Sequence, residues 1–134
     1  MRNRGSVVLV DKENQKIGLI KRTREGTVYY VFPGGGIKEG ETPEEATIRE
    51  AYEELGVKVA IRELIGKLEY NGTQYFYLAE MMEGEFGTGA GEEFTDLKRN
   101  RGTYEPVWVY IEECAFIDIR PREVIDIIQR FVCI

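Results

Sequence analysis

The 134-residue chain carries 18 Lys and Arg against 24 Asp and Glu, for a formal net charge of −6, with 43% hydrophobic and 31% charged residues. That charge argues against polymeric nucleic acid as a partner, because such binding needs a basic footprint to release phosphate counterions. No apolar run approaches the roughly 18 residues that span a bilayer, so no membrane partner is expected. The chain has no histidine, which excludes an imidazole metal site and a His general base.

A length of 134 residues fits one domain, 1–134, that buries about two thirds of its unfolded surface. Met1-Arg2-Asn3-Arg4 lacks a signal-peptide pattern, so a cytoplasmic protein is expected. Ser6–Val10 and Lys16–Lys21 read as strands joined by the polar turn Asp11–Gln15. Val28–Phe32, rich in β-branched and aromatic residues, reads as the next strand. Gly34, Gly35 and Gly36 then form a turn where absent side chains let backbone groups approach a ligand.

A helix follows. Thr42 is a good N-cap, Pro43 suits the first helical position, Glu45 closes a capping box, and Gly56 is placed to end the helix in left-handed geometry. At about 100° per residue, Glu50, Glu53 and Glu54 cluster within about 100° of arc. Ile48, Ala51, Tyr52 and Leu55 form an apolar stripe nearly opposite. One face is expected to pack and the other to present acid.

Beyond the helix, Lys58–Tyr70 reads as one or two strands, Asn71-Gly72 as a hairpin turn, and Thr73–Met82 as the return strand. The stretch from Glu83 to Gly102 is loop-like and carries Glu92 and Glu93. Loops longer than about 12 to 15 residues are usually functional or disordered. Tyr104–Ile111 is strand-like and includes Trp108, and Arg122–Val132 places Val124, Ile127, Ile128 and Phe131 at helical spacing, as in a core-packing helix. Cys114 and Cys133 show no ligand-like spacing and read as free thiols. The pattern suits an α/β fold with a mixed sheet sandwiched between helices.

Glu50 meets Glu53 and Glu54 at spacings where like charges each cost about 0.2 to 0.5 kcal/mol. A divalent cation reverses the sign of that interaction, and oxygen-only ligands suit Mg²⁺, with Mn²⁺ as the alternative ion. The competing reading is a solvated acidic face. The residues around the helix decide between them. From Gly35 to Val57 the chain resembles the Nudix box: Gly35, Glu41, Arg49, Glu50, Ala51, Glu53, Glu54, Gly56 and Val57 occupy its fixed positions at its spacing. The preceding Phe32-Pro33-Gly34 is also similar to that family.

The resemblance implies a Nudix fold and metal-dependent hydrolysis of a diphosphate linkage by water attack at phosphorus. The substrate would be a small nucleoside diphosphate derivative, such as a nucleoside triphosphate or a nucleotide sugar. Under this reading Glu53 and Glu54 lead as metal ligands, and Glu50 completes the cluster or takes the proton from water. A backbone carbonyl of Gly34 or Gly35 adds a ligand. Arg49 orients a catalytic glutamate or pairs with Glu45 or Glu53 on the helix surface, and Glu41 is a structural partner of the loop. Glu93 or Glu92 supplies a further ligand or base, with Glu105 in reserve. Gly34, Gly35, Arg22 and Tyr30 are the candidate substrate contacts. Core packing competes for Tyr30, as for Tyr29 and Phe32, and plain surface charge competes for Arg22, as for Lys21 and Arg24. The alternatives are a nucleotide-sensing domain of the same family and a partner-binding protein. A symmetric homodimer is compatible with this size, although no residue specifies its interface.

Overall fold

Val7, Val8, Leu9 and Val10 are all essentially buried, which a strand achieves only when both of its faces are covered. The computed structural model, which describes residues 2–69, 71–88 and 103–131, shows why. These residues belong to β1 (Arg4–Asp11), at the centre of a mixed eight-stranded sheet of order β5-β6-β1-β2-β3-β8. The other members of that path are β2 (Lys16–Arg24), β3 (Thr27–Val31), β5 (Val57–Glu69), β6 (Thr73–Gly84) and β8 (Ile119–Arg120). Off the path, β4 (Gly34–Gly36) pairs with β1, and β7 (Thr103–Tyr110) pairs with β2. β1–β6 and β3–β8 are parallel, whereas β1–β2, β2–β3, β2–β7 and β5–β6 are antiparallel.

The alternation of side chains sorts the core into two clusters. Val7, Leu9, Ile20, Val57, Val59 and Ala79 pack with Ala51 and Leu55 of α1 (Pro43–Leu55). Val8, Val10, Ile17, Leu19, Phe32, Phe76 and Leu78 pack with Val124, Ile125 and Ile128 of α2 (Glu123–Phe131). The sheet therefore lies between two helices, as the sequence pattern implied. Among the described residues no helix is long and apolar enough to cross a membrane.

The helix caps are as expected. Thr42 Oγ1 accepts from the Glu45 N–H at 3.1 Å, Glu45 Oε1 accepts from the Thr42 N–H at 2.8 Å, and Gly56 closes α1 at φ 78°. Asn71 and Gly72 turn β5 into β6 with positive φ at both residues. The stretch expected as one or two strands over Lys58–Tyr70 falls in the single strand β5, which carries three irregularities of register; Tyr70 lies outside the described residues.

Several expectations need correction. The three glycines are a short strand rather than a turn, with Arg4, Gly5 and Ser6 opposite Gly36, Gly35 and Gly34. A Cβ on Gly34 would run into the Gly5 carbonyl and Ser6 Oγ, so only glycine fits this close pairing. The face of α1 that packs is also different. Ala46, Thr47, Glu50, Ala51, Glu54 and Leu55 are buried, while Ile48 is 37% and Tyr52 65% exposed. The cause lies at Gly5, where a Cβ would stand 2.5 Å from Thr47 Oγ1 and 2.8 Å from the Pro43 carbonyl. The missing side chain lets α1 seat its small residues against β1, which turns two of its glutamates inward. β6 runs on through Gly84, and β7 ends at Tyr110, so that Ile111, expected in the strand, instead opens a 3-10 helix, Ile111–Phe116. Cys114 is a buried free thiol whose pKa is pushed up to about 11 by burial; Cys133 lies outside the described residues.

Candidate active site

Glu50 and Glu54 are only 8% and 6% exposed, which for carboxylates demands compensating donors. Glu54 Oε2 accepts the Gly34 N–H at 3.1 Å. The Glu50 carboxylate lies against Gly35 so closely that a Cβ there would overlap it, and its Oε1 is 3.5 Å from Arg49 Nη1. The glycine strand is thus a cradle, its backbone facing two acids of the helix.

Arg49 organises the remainder. Its Nε donates to Glu41 Oε2 at 2.7 Å and its Nη2 to Glu41 Oε1 at 3.0 Å, the bidentate fork that a guanidinium and a carboxylate form. Nη2 also donates to the Gly36 carbonyl at 3.0 Å, and Nη1 to the two oxygens of Glu53 at 3.3 and 3.2 Å. Glu41 accepts the Lys38 N–H at 2.9 Å as well. These donors hold the Glu41 carboxyl at about 2, chiefly through the Arg49 hydrogen bond, and the Arg49 guanidinium is correspondingly raised, again chiefly by Glu41. Arg49 therefore ties loop, glycine strand and helix together. It pairs with Glu50 and Glu53, and among the described residues it makes no ion pair with Glu45.

The three helix glutamates do not converge as the sequence pattern suggested. Among the described residues no three acidic or thiol side chains form a ready-made metal cluster. The reason is electrostatic: like charges on one helix turn toward the nearest donors, here Arg49 and the Gly34 N–H. The donor set nevertheless fits a hard divalent cation. It is all oxygen, and Glu53, with 41% of its side chain exposed, is held among the described residues by the longer Arg49 contacts.

Register decides the fate of the other candidates. Arg22 is opposite Tyr29 and Tyr104, in line with Ile20, Val31 and Trp108 on the α1 face. Its guanidinium stacks 4.3 Å from the Tyr104 ring centroid and 5.4 Å from that of Tyr29, while Arg120 covers Tyr29 at 4.1 Å. Tyr30 is one residue out of phase and packs on the α2 cluster. It is therefore corrected from a substrate contact to a core residue, and Tyr29 takes its place on the α1 face. Glu105 sits opposite Lys21, which itself pairs with Tyr30, so the reserve candidate shares the phase of Tyr30 and faces away from α1. Glu92 and Glu93 lie outside the described residues.

Sequence reasoning missed two features near the box. Phe86 stacks on Trp108 with centroids 4.4 Å apart, and the next residue, Gly87, donates its N–H to the Leu55 carbonyl at 2.8 Å. Arg4 Nη2 donates to the Gly34 carbonyl at 3.4 Å. Neither has a local sequence signal, because both depend on pairings distant in the chain.

Known proteins give a consistent match. The model of the NUDIX domain matches residues 1–126. The chain is 38% identical over 87 residues to the 8-oxo-dGTP diphosphatase of Escherichia coli K12, an alignment covering 60% of this chain and 67% of that protein. It is 51% identical over 45 residues to the RNA pyrophosphohydrolase of Psychromonas ingrahamii, covering 34% of this chain but only 25% of that protein. A structure from a study of MutT from Aliivibrio salmonicida and Vibrio cholerae superposes with a TM-score of 0.66 at 21% identity, covering 98% of this chain and 96% of the other. The acidic helix against its glycine strand, the Arg49 clamp and these matches agree: the chain belongs to the NUDIX family and is a MutT-like Nudix pyrophosphohydrolase.

Proposed function

We propose that the protein is a single catalytic domain that hydrolyses a nucleoside triphosphate of the 8-oxo-dGTP type to the monophosphate and pyrophosphate, using Mg²⁺. The observation that carries this reading is the pair of buried acids, Glu50 and Glu54, aimed at the glycine strand, with Glu50 braced by Arg49. Nudix proteins typically depend on a divalent metal and act on nucleotides. A bound divalent cation supplies Lewis acidity at phosphorus and neutralises the charge of the diphosphate.

Glu50, Glu53 and Glu54 would hold that ion, with the Gly34 carbonyl as an oxygen donor beside them. Glu50 takes the proton of the attacking water, since its carboxylate is buried, fixed against Gly35, and next to Arg49, which steadies its charge. Arg49 is a positioning residue: pinned by Glu41, it sets where the carboxylates of Glu50 and Glu53 stand. On the same sheet face, Arg22 between Tyr29 and Tyr104 offers a flat cationic surface for the nucleotide. A cleft of about 200 Å³ beside Glu53, lined by Tyr52, Gly56 and Thr88, opens next to the helix.

The test is a panel of canonical and oxidised nucleoside triphosphates, nucleotide sugars, dinucleoside polyphosphates and ADP-ribose, with products identified, on the wild-type protein and on Glu53→Gln and Glu54→Gln. Each substitution should lower turnover at least about a hundredfold with the unfolding midpoint little changed. Undiminished turnover would remove the metal role. Binding without cleavage of any member would instead favour a sensor.

A further inference from the structure

After β6 the chain meets the far end of α1 twice. At Gly84, which pairs with Val57, a Cβ would stand 2.5 Å from the Gly56 carbonyl, so the strand passes tight against the residue that closes the helix. Three residues on, Gly87 turns at φ 95° and donates its N–H to the Leu55 carbonyl at 2.8 Å. The last four carbonyls of a helix have no partner within it, and this one is met by a segment more than 30 positions away in sequence. Thr88 folds the turn back on itself, donating its N–H and its hydroxyl to the Glu85 carbonyl at 3.3 and 2.6 Å.

Phe86, between those two contacts, is the anchor. Its ring lies over Gly18 of β2, where a Cβ would stand 3.0 Å from Phe86 Cε2, and it stacks on Trp108 with the ring planes 27° apart. Gly18 pairs with both Leu9 and Trp108, so one missing side chain on the α1 face makes the hollow that receives the ring. An aromatic pair in contact stabilises beyond the area it covers. The turn is thereby pinned to the sheet by a side chain and to the helix terminus by its backbone. That terminus is where two box acids stand: Glu53 and Glu54 directly precede Leu55, and Thr88 forms part of the wall of the cleft beside Glu53.

We propose that Phe86 is a positioning residue for the metal-holding end of α1: through Gly87 it fixes the last turn of the helix, and with it the carboxylates of Glu53 and Glu54. The inference rests on the metal-dependent reading above and adds to it a residue more than 30 positions beyond the acids it serves. Phe86 acts through the backbone. The ring sets Gly87, Gly87 holds the Leu55 carbonyl, and that carbonyl belongs to the turn that carries both acids. Functional side chains must be held to within about 0.5 Å of their working geometry. Groups that brace metal ligands accordingly cost about ten- to a hundredfold in metal affinity or activity when they are removed.

The experiment compares wild type with Phe86→Ala, Phe86→Leu, Gly18→Ala and Ile128→Val. Ile128, in the core on the α2 side, controls for loss of stability alone. Binding of Mn²⁺ is measured by electron paramagnetic resonance without substrate, amide hydrogen exchange follows Glu54 to Gly56, and kcat and KM are measured on a nucleoside triphosphate. Phe86→Ala should weaken Mn²⁺ binding and lower kcat about tenfold each, with KM within about threefold, and should speed exchange in the last turn of α1 at least about tenfold. Gly18→Ala crowds the ring out of its hollow and should reproduce part of these losses, whereas Phe86→Leu keeps apolar bulk and should recover part of them. Ile128→Val should lower the urea midpoint while leaving Mn²⁺ affinity and kcat within about twofold. If Phe86→Ala does not fold, Phe86→Leu and Gly18→Ala carry the same comparison against Ile128→Val. Losses at Phe86 and Gly18 no larger than those of Ile128→Val, or unchanged exchange in the last turn, overturn the proposal. Absence of Mn²⁺ binding by wild type overturns the metal reading instead, while the exchange rates still judge whether Phe86 holds the helix.

Discussion

Gly35→Ala probes the contact between glycine strand and acidic helix most directly. A Cβ built at Gly35 falls 2.5 Å from the carboxyl carbon of Glu50, where ordinary contact begins near 3.4 Å. Glu50 must therefore withdraw by about 1 Å, or β4 must move away from α1. Either shift breaks the alignment of a buried group, and misplacement of that size costs about a hundredfold in rate. Crowding also costs about 1 to 3 kcal/mol of stability. Gly66→Ala is the control: its Cβ would stand 3.2 Å from Ile127 Cδ1 on the α2 side, which should cost stability without touching turnover. The assay is pyrophosphate or phosphate release under saturating substrate, beside urea denaturation of both variants. A Gly35→Ala protein that folds and keeps kcat within about threefold of wild type would refute the argument that Glu50 must stand against bare backbone.

Glu41 titrates at about 2 against an ordinary 4.5, so its contribution to stability is complete above about pH 4.5 and is lost as the pH falls toward 2. Glu41→Gln should flatten that acid limb and cost about 1.5 to 3 kcal/mol near neutrality; identical denaturation midpoints for the two proteins from pH 7 down to 3 would argue against the fork with Arg49. Thr42→Ala removes one half of the capping box and should cost about 1 to 2 kcal/mol by denaturant unfolding, with the catalytic pH profile unmoved.

What was legible in the sequence was local. Thr42, Pro43, Glu45 and Gly56 bound a helix by backbone chemistry that acts within four residues, and each took its expected place. The nine box positions, read through their family resemblance, pointed to the family that the domain match then established. What local spacing could not deliver was orientation. An apolar stripe of Ile48, Ala51, Tyr52 and Leu55 looks like the packing face until Gly5, more than 40 positions earlier, is seen to admit Thr47 instead. The choice between Tyr29 and Tyr30 likewise depends on strand phase, since a shift of one residue exchanges the two faces of a sheet. Arg4 and Phe86 escaped for the same reason: their partners, Gly34 and Trp108, are brought to them only by the finished topology.

Trp108 is the chain's single tryptophan, and its ring is covered by Phe86 from a segment anchored at the last turn of α1. Indole emission from this molecule accordingly comes from one place, the junction of β7 with the far end of the acidic helix. Any event that pries that junction open will change the colour of the fluorescence, giving the protein a built-in optical gauge that needs no label.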